Sequence, residues 1–428
     1  MTDSSFLQPH LASMTPSASL RINEEIKARR AANLPVYNLG FGQSPFPVPE
    51  TVVAALKEYA HEKQYPPVQG LEQLREAIAA WLERNCGMTA YPEQIIAGPG
   101  SKELLFQLQL IHKGTLLLPD PAWVSYAPQA HILQKDMVWI PTRPNDAWRL
   151  QPEVLAEYCD KNQYHRPLLL FNHPNCPTGA TYTPEQLTAL TEVCRQREII
   201  VLSDEIYGPL NFAGKHRSLA EFYPEGTIVS GGLSKWCGAG GWRMGYLHFP
   251  KPLRSMLEAM LVVASETFSG VSSPIQWASI SAFRPSEAID HYVKIERLLL
   301  SALSAEVQRR LQQNDIQTVA ADGAFYLFPD FAAYKTRLAK HNIHTGIEFC
   351  RAALEKTGVA MLPAEEFVDG GENSFNARLC LVDFDGTRAL ERLSPIIDES
   401  PISVELLEEL CTPTLEGLDC LIAWVQSL

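Results

Sequence analysis

Four polar stretches, each following a short apolar run, hold the residue types that could do chemistry in this chain. They are Gly98-Pro99-Gly100-Ser101-Lys102, Asn172-His173-Pro174-Asn175-Cys176-Pro177-Thr178-Gly179, Ser203-Asp204-Glu205-Ile206-Tyr207 and Gly231-Gly232-Leu233-Ser234-Lys235. Ligands of helix-flanked sheets bind beyond the carboxyl ends of the strands, so these ends are where a site is expected. Taken singly, each stretch also has an ordinary reading. A Gly-Ser before a helix is more often only a cap, an Asp at a strand end an N-cap, and a lone Lys a solvated side chain. Two nucleotide readings lose support: Gly238 to Gly245 lacks GxGxxG spacing, and Gly231 to Lys235 does not satisfy GxxxxGK[ST].

The elements that must position these residues read as alternating strands and helices. Apolar runs predict strands at Ile95–Ala97, Thr115–Leu118, Met137–Ile140, Leu168–Phe171, Ile199–Leu202, Thr227–Ser230 and Met244–Phe249. Three- and four-residue apolar spacing predicts helices at Leu71–Arg84, Lys102–His112 and Pro184–Arg197 between them. Thr183-Pro184-Glu185-Gln186 adds a cap, an N1 proline and acidic character. Such alternation means a mostly parallel sheet covered on both faces. A long helix over Ala288–Gln313 leads into a strand, helix, strand series at Gly323–Phe328, Gly346–Lys356 and Ala377–Val382, which suits a smaller α+β domain. The expected division is an N-terminal segment, 1–45, belonging to the small domain, a large domain over 46–290 and the rest of the small domain over 291–428.

Composition narrows the partners. The chain has 428 residues, 46% hydrophobic and 20% charged, as expected of a soluble globular protein. Its net charge of -13 disfavours nucleic acid and anionic lipid, so any anionic small molecule must be held by locally placed Arg, Lys and backbone N–H groups. Nine scattered cysteines without a CxxC pair predict free thiols in a reducing compartment and no metal site. With no secretory signal pattern and no apolar stretch approaching about 18 residues, a cytoplasmic enzyme is expected.

Taken together and in order, these stretches resemble the class I/II aminotransferases, pyridoxal-phosphate-dependent enzymes of fold type I. The resemblance runs from about Leu39 to Val382. It also includes Asn38-Leu39-Gly40-Phe41-Gly42, Tyr65-Pro66-Pro67-Val68-Gln69-Gly70-Leu71, Asp120-Pro121-Ala122-Trp123-Val124-Ser125-Tyr126, Gly241-Trp242-Arg243-Met244-Gly245 and Ala377-Arg378-Leu379. It implies pyridoxal 5'-phosphate as cofactor and transfer of an amino group from an L-amino acid to a 2-oxo acid by ping-pong chemistry. Lys235 would carry the cofactor as a Schiff base and act as base at Cα. Asp204 would pair with the protonated pyridine nitrogen, and Tyr207 would donate to the ring's phenolic oxygen. Trp123 would stack on the ring. Gly100, Ser101 and Lys102 at a helix N-terminus, with Ser234 and Arg243, would hold the phosphate. Tyr65 would reach the phosphate of a neighbouring subunit, implying a homodimer with shared sites. Arg378 would grip the substrate α-carboxylate, with Gly42 close to it.

Two departures from the family pattern stand out. The residue before Pro177-Thr178-Gly179 is Cys176 where the family usually has Asn, and a thiol is a weak donor to the ring oxygen. Weaker stabilisation of the phenolate and a higher pKa for the lysine–cofactor linkage are expected. Gly232 stands where many members have a phosphate-binding serine. Phe41, Phe46, Trp123, Tyr126 and Phe325 could line an apolar substrate pocket, which favours a neutral or aromatic side chain; no second arginine can be assigned to a distal carboxylate, and dicarboxylic, aromatic and aliphatic amino acids all stay open. Two other readings use the same residues: a lyase, synthase or oxidase that routes the same carbanion elsewhere, and a fold retained as a regulatory module. The latter lacks a helix-turn-helix extension or a basic tract, and Lys235 is intact.

Overall fold

A computed structural model describes residues 6, 8–12, 14–162, 164, 166–397 and 401–428, and among these described residues twelve strands and their connecting helices build the fold. Parts of the expected 1–45 segment (residues 1–5, 7 and 13) and residues 398–400 lie outside the described residues. The strands are β1 Tyr37–Asn38, β2 Ile95–Gly98, β3 Leu116–Asp120, β4 Met137–Pro141, β5 Leu168–Asn172, β6 Ile200–Asp204, β7 Thr227–Gly232, β8 Gly245–His248, β9 Tyr326–Leu327, β10 Val359–Ala360, β11 Leu362–Pro363 and β12 Ala377–Cys380.

All seven strands expected before residue 250 join one sheet, in the order β2-β8-β7-β6-β5-β3-β4. Strands β3 to β7 pair in parallel, whereas β8 runs antiparallel to both β7 and β2. Strand β2 therefore runs the same way as β7, and the carboxyl ends of six strands meet at one edge. Central strands such as β5 and β7 are buried along their whole length, which is why they read as continuous apolar or small-residue runs rather than alternating ones. The helix Pro184–Gln196 carries the expected start signal as a complete capping box between Thr183 and Gln186.

The remaining strands form two small sheets. Strand β1 pairs with β10, and β9 and β11 flank β12. The Cys380 N–H donates to the Leu39 carbonyl, so the chain just after β1 lies against β12. The 26-residue helix Glu287–Gln312 spans the expected boundary at residue 290. No helix among the described residues is long and apolar enough to cross a membrane.

Candidate active site

The carboxyl ends of β2, β5, β6 and β7 converge on a cavity of about 150 Å³ lined by Ser101, Lys102, Trp123, Tyr126, Asn172, Asp204, Ile206, Tyr207, Ser234, Lys235 and Arg243. A second cavity of about 340 Å³ shares Lys102, Trp123, Ser234, Lys235 and Arg243 with the first and adds Phe41, Gly42, Tyr326 and Arg378. Four cations and one carboxylate thus line the two cavities of a chain whose net charge is -13.

Asp204 ends β6 with its side chain in the smaller cavity. Its Oδ2 accepts from the Tyr126 hydroxyl at 2.7 Å, while Oδ1 is buried and has no hydrogen-bond partner among the described residues. Burial pushes this carboxyl up to about 6, against the opposing hydrogen bond from Tyr126. Such an acid is complementary to a cation that comes with the ligand. Glu205, one residue on, turns away: Oε2 accepts from His216 Nε2 at 2.8 Å, and Oε1 accepts from Ser203 and Ser218. Asn172 braces the site from β5, donating to the Asp204 carbonyl and accepting the Cys176 N–H.

Lys235 lies just past β7. Its Nζ donates to the Gly42 carbonyl at 2.8 Å and sits 5.5 Å from the Tyr207 ring centroid and 5.6 Å from that of Phe325. Burial lowers its pKa to about 8, so a usable fraction of the amine is neutral near neutral pH. At the far side, Gly100 precedes the helix Ser101–Ile111 with φ +86, and a Cβ there would meet Arg243 Nη2 at 2.2 Å. Only glycine accepts both that backbone and that approach. Arg243 donates to the carbonyls of Gly240 and Pro99. A guanidinium beside a helix N-terminus is a dianion receptor. These residues fit pyridoxal phosphate: an orphaned buried carboxylate oxygen for the ring nitrogen, an amine within the cavity, and N–H and guanidinium donors for the phosphate.

Arg378, on β12, is 1% exposed. Its Nη2 donates to the Gly40 carbonyl at 2.6 Å, its Nη1 lies 3.6 Å from Cys176 Sγ, and its Nε has no partner among the described residues. The rings of Tyr326 and Phe367 flank it at 5.0 and 5.1 Å. Cys176 therefore touches the arginine, buried at the edge of the site. At Gly232 a side chain would meet the Met244 carbonyl at 2.7 Å, so the backbone as it stands leaves no room for a serine.

Of the aromatic residues expected in a substrate pocket, Phe41, Trp123 and Tyr126 line a cavity. Phe46 packs edge-on against Tyr292 and Phe384, and Phe325 against Tyr207; neither lines these cavities. Tyr65 is 94% exposed and lines neither cavity. Three contributors escaped the sequence reading: Asn172 as a brace, the Tyr126 hydroxyl as partner of Asp204, and Tyr326, whose hydroxyl lies 2.7 Å from that of Tyr207. The available signal for Tyr326 was its place beside Phe325 in a predicted strand, which does not say which ring faces the site.

Comparison with known proteins matches residues 35–385 to the family "Aminotransferase class I and II". The chain belongs to this family. It is 33% identical to an aspartate aminotransferase of Geobacillus stearothermophilus, over 84% of this chain and 91% of that one. It is 30% identical to an aspartate aminotransferase of Bacillus subtilis, over 92% and 99% of the two chains. The fold superposes on a solved structure of aspartate aminotransferase from Thermus thermophilus with maleate at a TM-score of 0.79, with 28% identity and coverage of 91% and 99%. As a member of this family the protein is a pyridoxal-phosphate-dependent aminotransferase, and these relatives favour transamination over the elimination and oxidation alternatives.

Proposed function

We propose that this aminotransferase acts on dicarboxylic amino acids and their 2-oxo acids. The observation that carries the reading is Lys102: it lines both cavities and its ammonium faces the Trp123 ring at 5.3 Å, with no carboxylate paired to it among the described residues. It is thus available to a second carboxylate on a substrate whose first is held by Arg378. The Thermus thermophilus structure carries maleate, a dicarboxylate, and the relatives named above are aspartate aminotransferases, which supports the same choice.

In this reading Arg378 binds the α-carboxylate by a two-point contact, with Gly42 backbone beside it. Bound pyridoxal phosphate supplies an electron sink for the charge left when the substrate Cα loses its proton. Lys235 would anchor the cofactor and move that proton. Asp204 would hold the positive ring nitrogen, Tyr207 would donate to the phenolic oxygen and Trp123 would cover one ring face. Ser101, Ser234, Arg243 and the N–H groups at Gly100–Lys102 would hold the phosphate.

Conversion of bound cofactor to its amine form should be fastest with aspartate or glutamate in a screen of single amino acids. Lys102→Ser should lower kcat/KM for the dicarboxylic substrate by about 10- to 100-fold and leave alanine nearly unchanged, since losing one charged contact costs about 1.5–3 kcal/mol. Equal losses for both substrates would remove Lys102 from the recognition of a second carboxylate.

The reading extends to organisation. A large domain over 46–290 and a small one from 1–45 and 291–428 put Arg378 and Lys235 on opposite walls. The exposure of Tyr65 and Arg243 suits a homodimer in which the tyrosine completes the partner's phosphate site. Nine cysteines without a disulfide suit the cytoplasm. Enzyme freshly released from cells should sediment at twice the mass of one chain with all nine thiols titratable after unfolding. A monomer, or oxidised cysteines, would count against these assignments.

A further inference from the structure

Tyr207 and Tyr326 meet hydroxyl to hydroxyl at 2.7 Å, with their rings 5.5 Å apart and nearly perpendicular. Both are buried, at 3% and 2% exposure. The register of β9 against β12 sets Tyr326 directly opposite Cys380, and Arg378, two residues before Cys380, shares that face. The Arg378 guanidinium sits 5.0 Å from the Tyr326 ring centroid. Gly42 makes the arrangement possible, because a Cβ there would lie 2.4 Å from the Tyr326 hydroxyl. The titratable groups facing Tyr326 are Tyr207, Cys176, Arg378 and Cys380.

We propose that Tyr326 is a positioning residue that donates its hydroxyl hydrogen to Tyr207 and thereby offsets the amide donor missing at Cys176. A phenol can accept one hydrogen bond while donating another. Tyr326 O–H donating into the Tyr207 oxygen leaves the Tyr207 hydrogen aimed into the cavity, and hydrogen bonds in series polarise one another. Cations flank both rings, Arg378 at 5.0 Å from Tyr326 and Lys235 at 5.5 Å from Tyr207, so the direction of the chain follows from the cavity: an acceptor there takes the Tyr207 hydrogen, which leaves Tyr326 as the donor of the pair. Cys176 supplies only a weak S–H donor and is already in contact with Arg378. The chain therefore has a second phenol where an amide would otherwise share the load.

The proposal rests on the assignment of Tyr207 to the phenolic oxygen, and the test separates the two. The readout is the pH midpoint of the visible-absorbance change of cofactor-loaded protein. Tyr326→Phe keeps the ring against Arg378 and should raise the midpoint by about half to one pH unit, the equivalent of one hydrogen bond. Cys176→Asn should lower the midpoint, and in that background Tyr326→Phe should shift it by less than half as much. A Tyr207→Phe midpoint equal to wild type would defeat the site assignment itself. If Tyr207→Phe moves the midpoint and Tyr326→Phe does not, or if Tyr326→Phe shifts both backgrounds equally, the assignment stands and the compensating role of Tyr326 fails.

Discussion

Lys235→Ala is expected to lose at least about four orders of magnitude in turnover while remaining folded. A positioned general base alone is worth roughly 10²–10⁴-fold, and this variant also loses the amine assigned to exchange the cofactor with substrate. The native geometry explains the size of the effect: Nζ is held on the Gly42 carbonyl between the rings of Tyr207 and Phe325. Folding should not suffer. Lys235 is harder to protonate in the folded protein, at about 8, than in the unfolded chain, near 10.5. The native lysine therefore costs stability, fully below about pH 8, and the cost disappears above the unfolded value. Below pH 8 the cofactor-free alanine variant should unfold at no lower denaturant concentration than wild type. Lys235→Arg, which keeps a charge but not an exchangeable amine, should be equally inactive. Wild-type turnover in either variant, measured with a matched circular dichroism spectrum, would remove Lys235 from the chemistry.

Arg378→Leu should lower kcat/KM by about 10²- to 10³-fold. Losing one member of a buried charge pair costs about 2–5 kcal/mol, and each 1.4 kcal/mol is tenfold. Among the described residues this guanidinium has one short hydrogen bond, to the Gly40 carbonyl, a long contact with Cys176 Sγ and an unpartnered Nε, but no carboxylate, so the substrate carboxylate is the charged partner it lacks. Leucine preserves apolar packing between Tyr326 and Phe367. The measurement that isolates the contact compares an amino acid with the amine of the same side chain: wild type should prefer the acid strongly, and the variant should lose that preference while its slow reaction with the amine stays unchanged. An equal fall for acid and amine would point to a disturbed pocket rather than a lost carboxylate contact.

Much of the fold was legible because burial on both faces leaves a strong mark. Strands β5 and β7 have no solvent side to vary, so their composition alone announces them, and the ends of the seven central strands fall within about two residues of expectation. The flanking elements were less visible. The helix Ala18–Ala31 buries only Ala18, Ile22 and Ile26, and nothing in so narrow a stripe says which cavity its first turn will border. The helix Thr412–Ser427 packs near β1 and β10, a long-range choice that local pattern does not encode. Tyr65 is exposed and lines neither cavity, and its expected role depends on a second copy.

By itself the sequence determined the kinds of groups present and their order along the chain: a glycine–serine helix start, an acid, a phenol, a lysine and two arginines at the ends of successive elements. It also determined the parallel sheet that gathers them, since apolar runs and helical spacing are local properties. Tertiary contacts decide which member of each neighbouring pair faces the cavity: the family resemblance had already implied Asp204, whereas Tyr326 rather than Phe325 emerged only from the structure. Asp204 enters it and Glu205 binds His216 outside; Tyr326 meets Tyr207, and Phe325 packs beside it. Adjacent side chains on an extended backbone point to opposite faces, so a shift of one residue would exchange every such pair. The pairing of β9 with β12 and of β6 with β5 and β7 fixes that register, and those contacts join residues far apart in the chain.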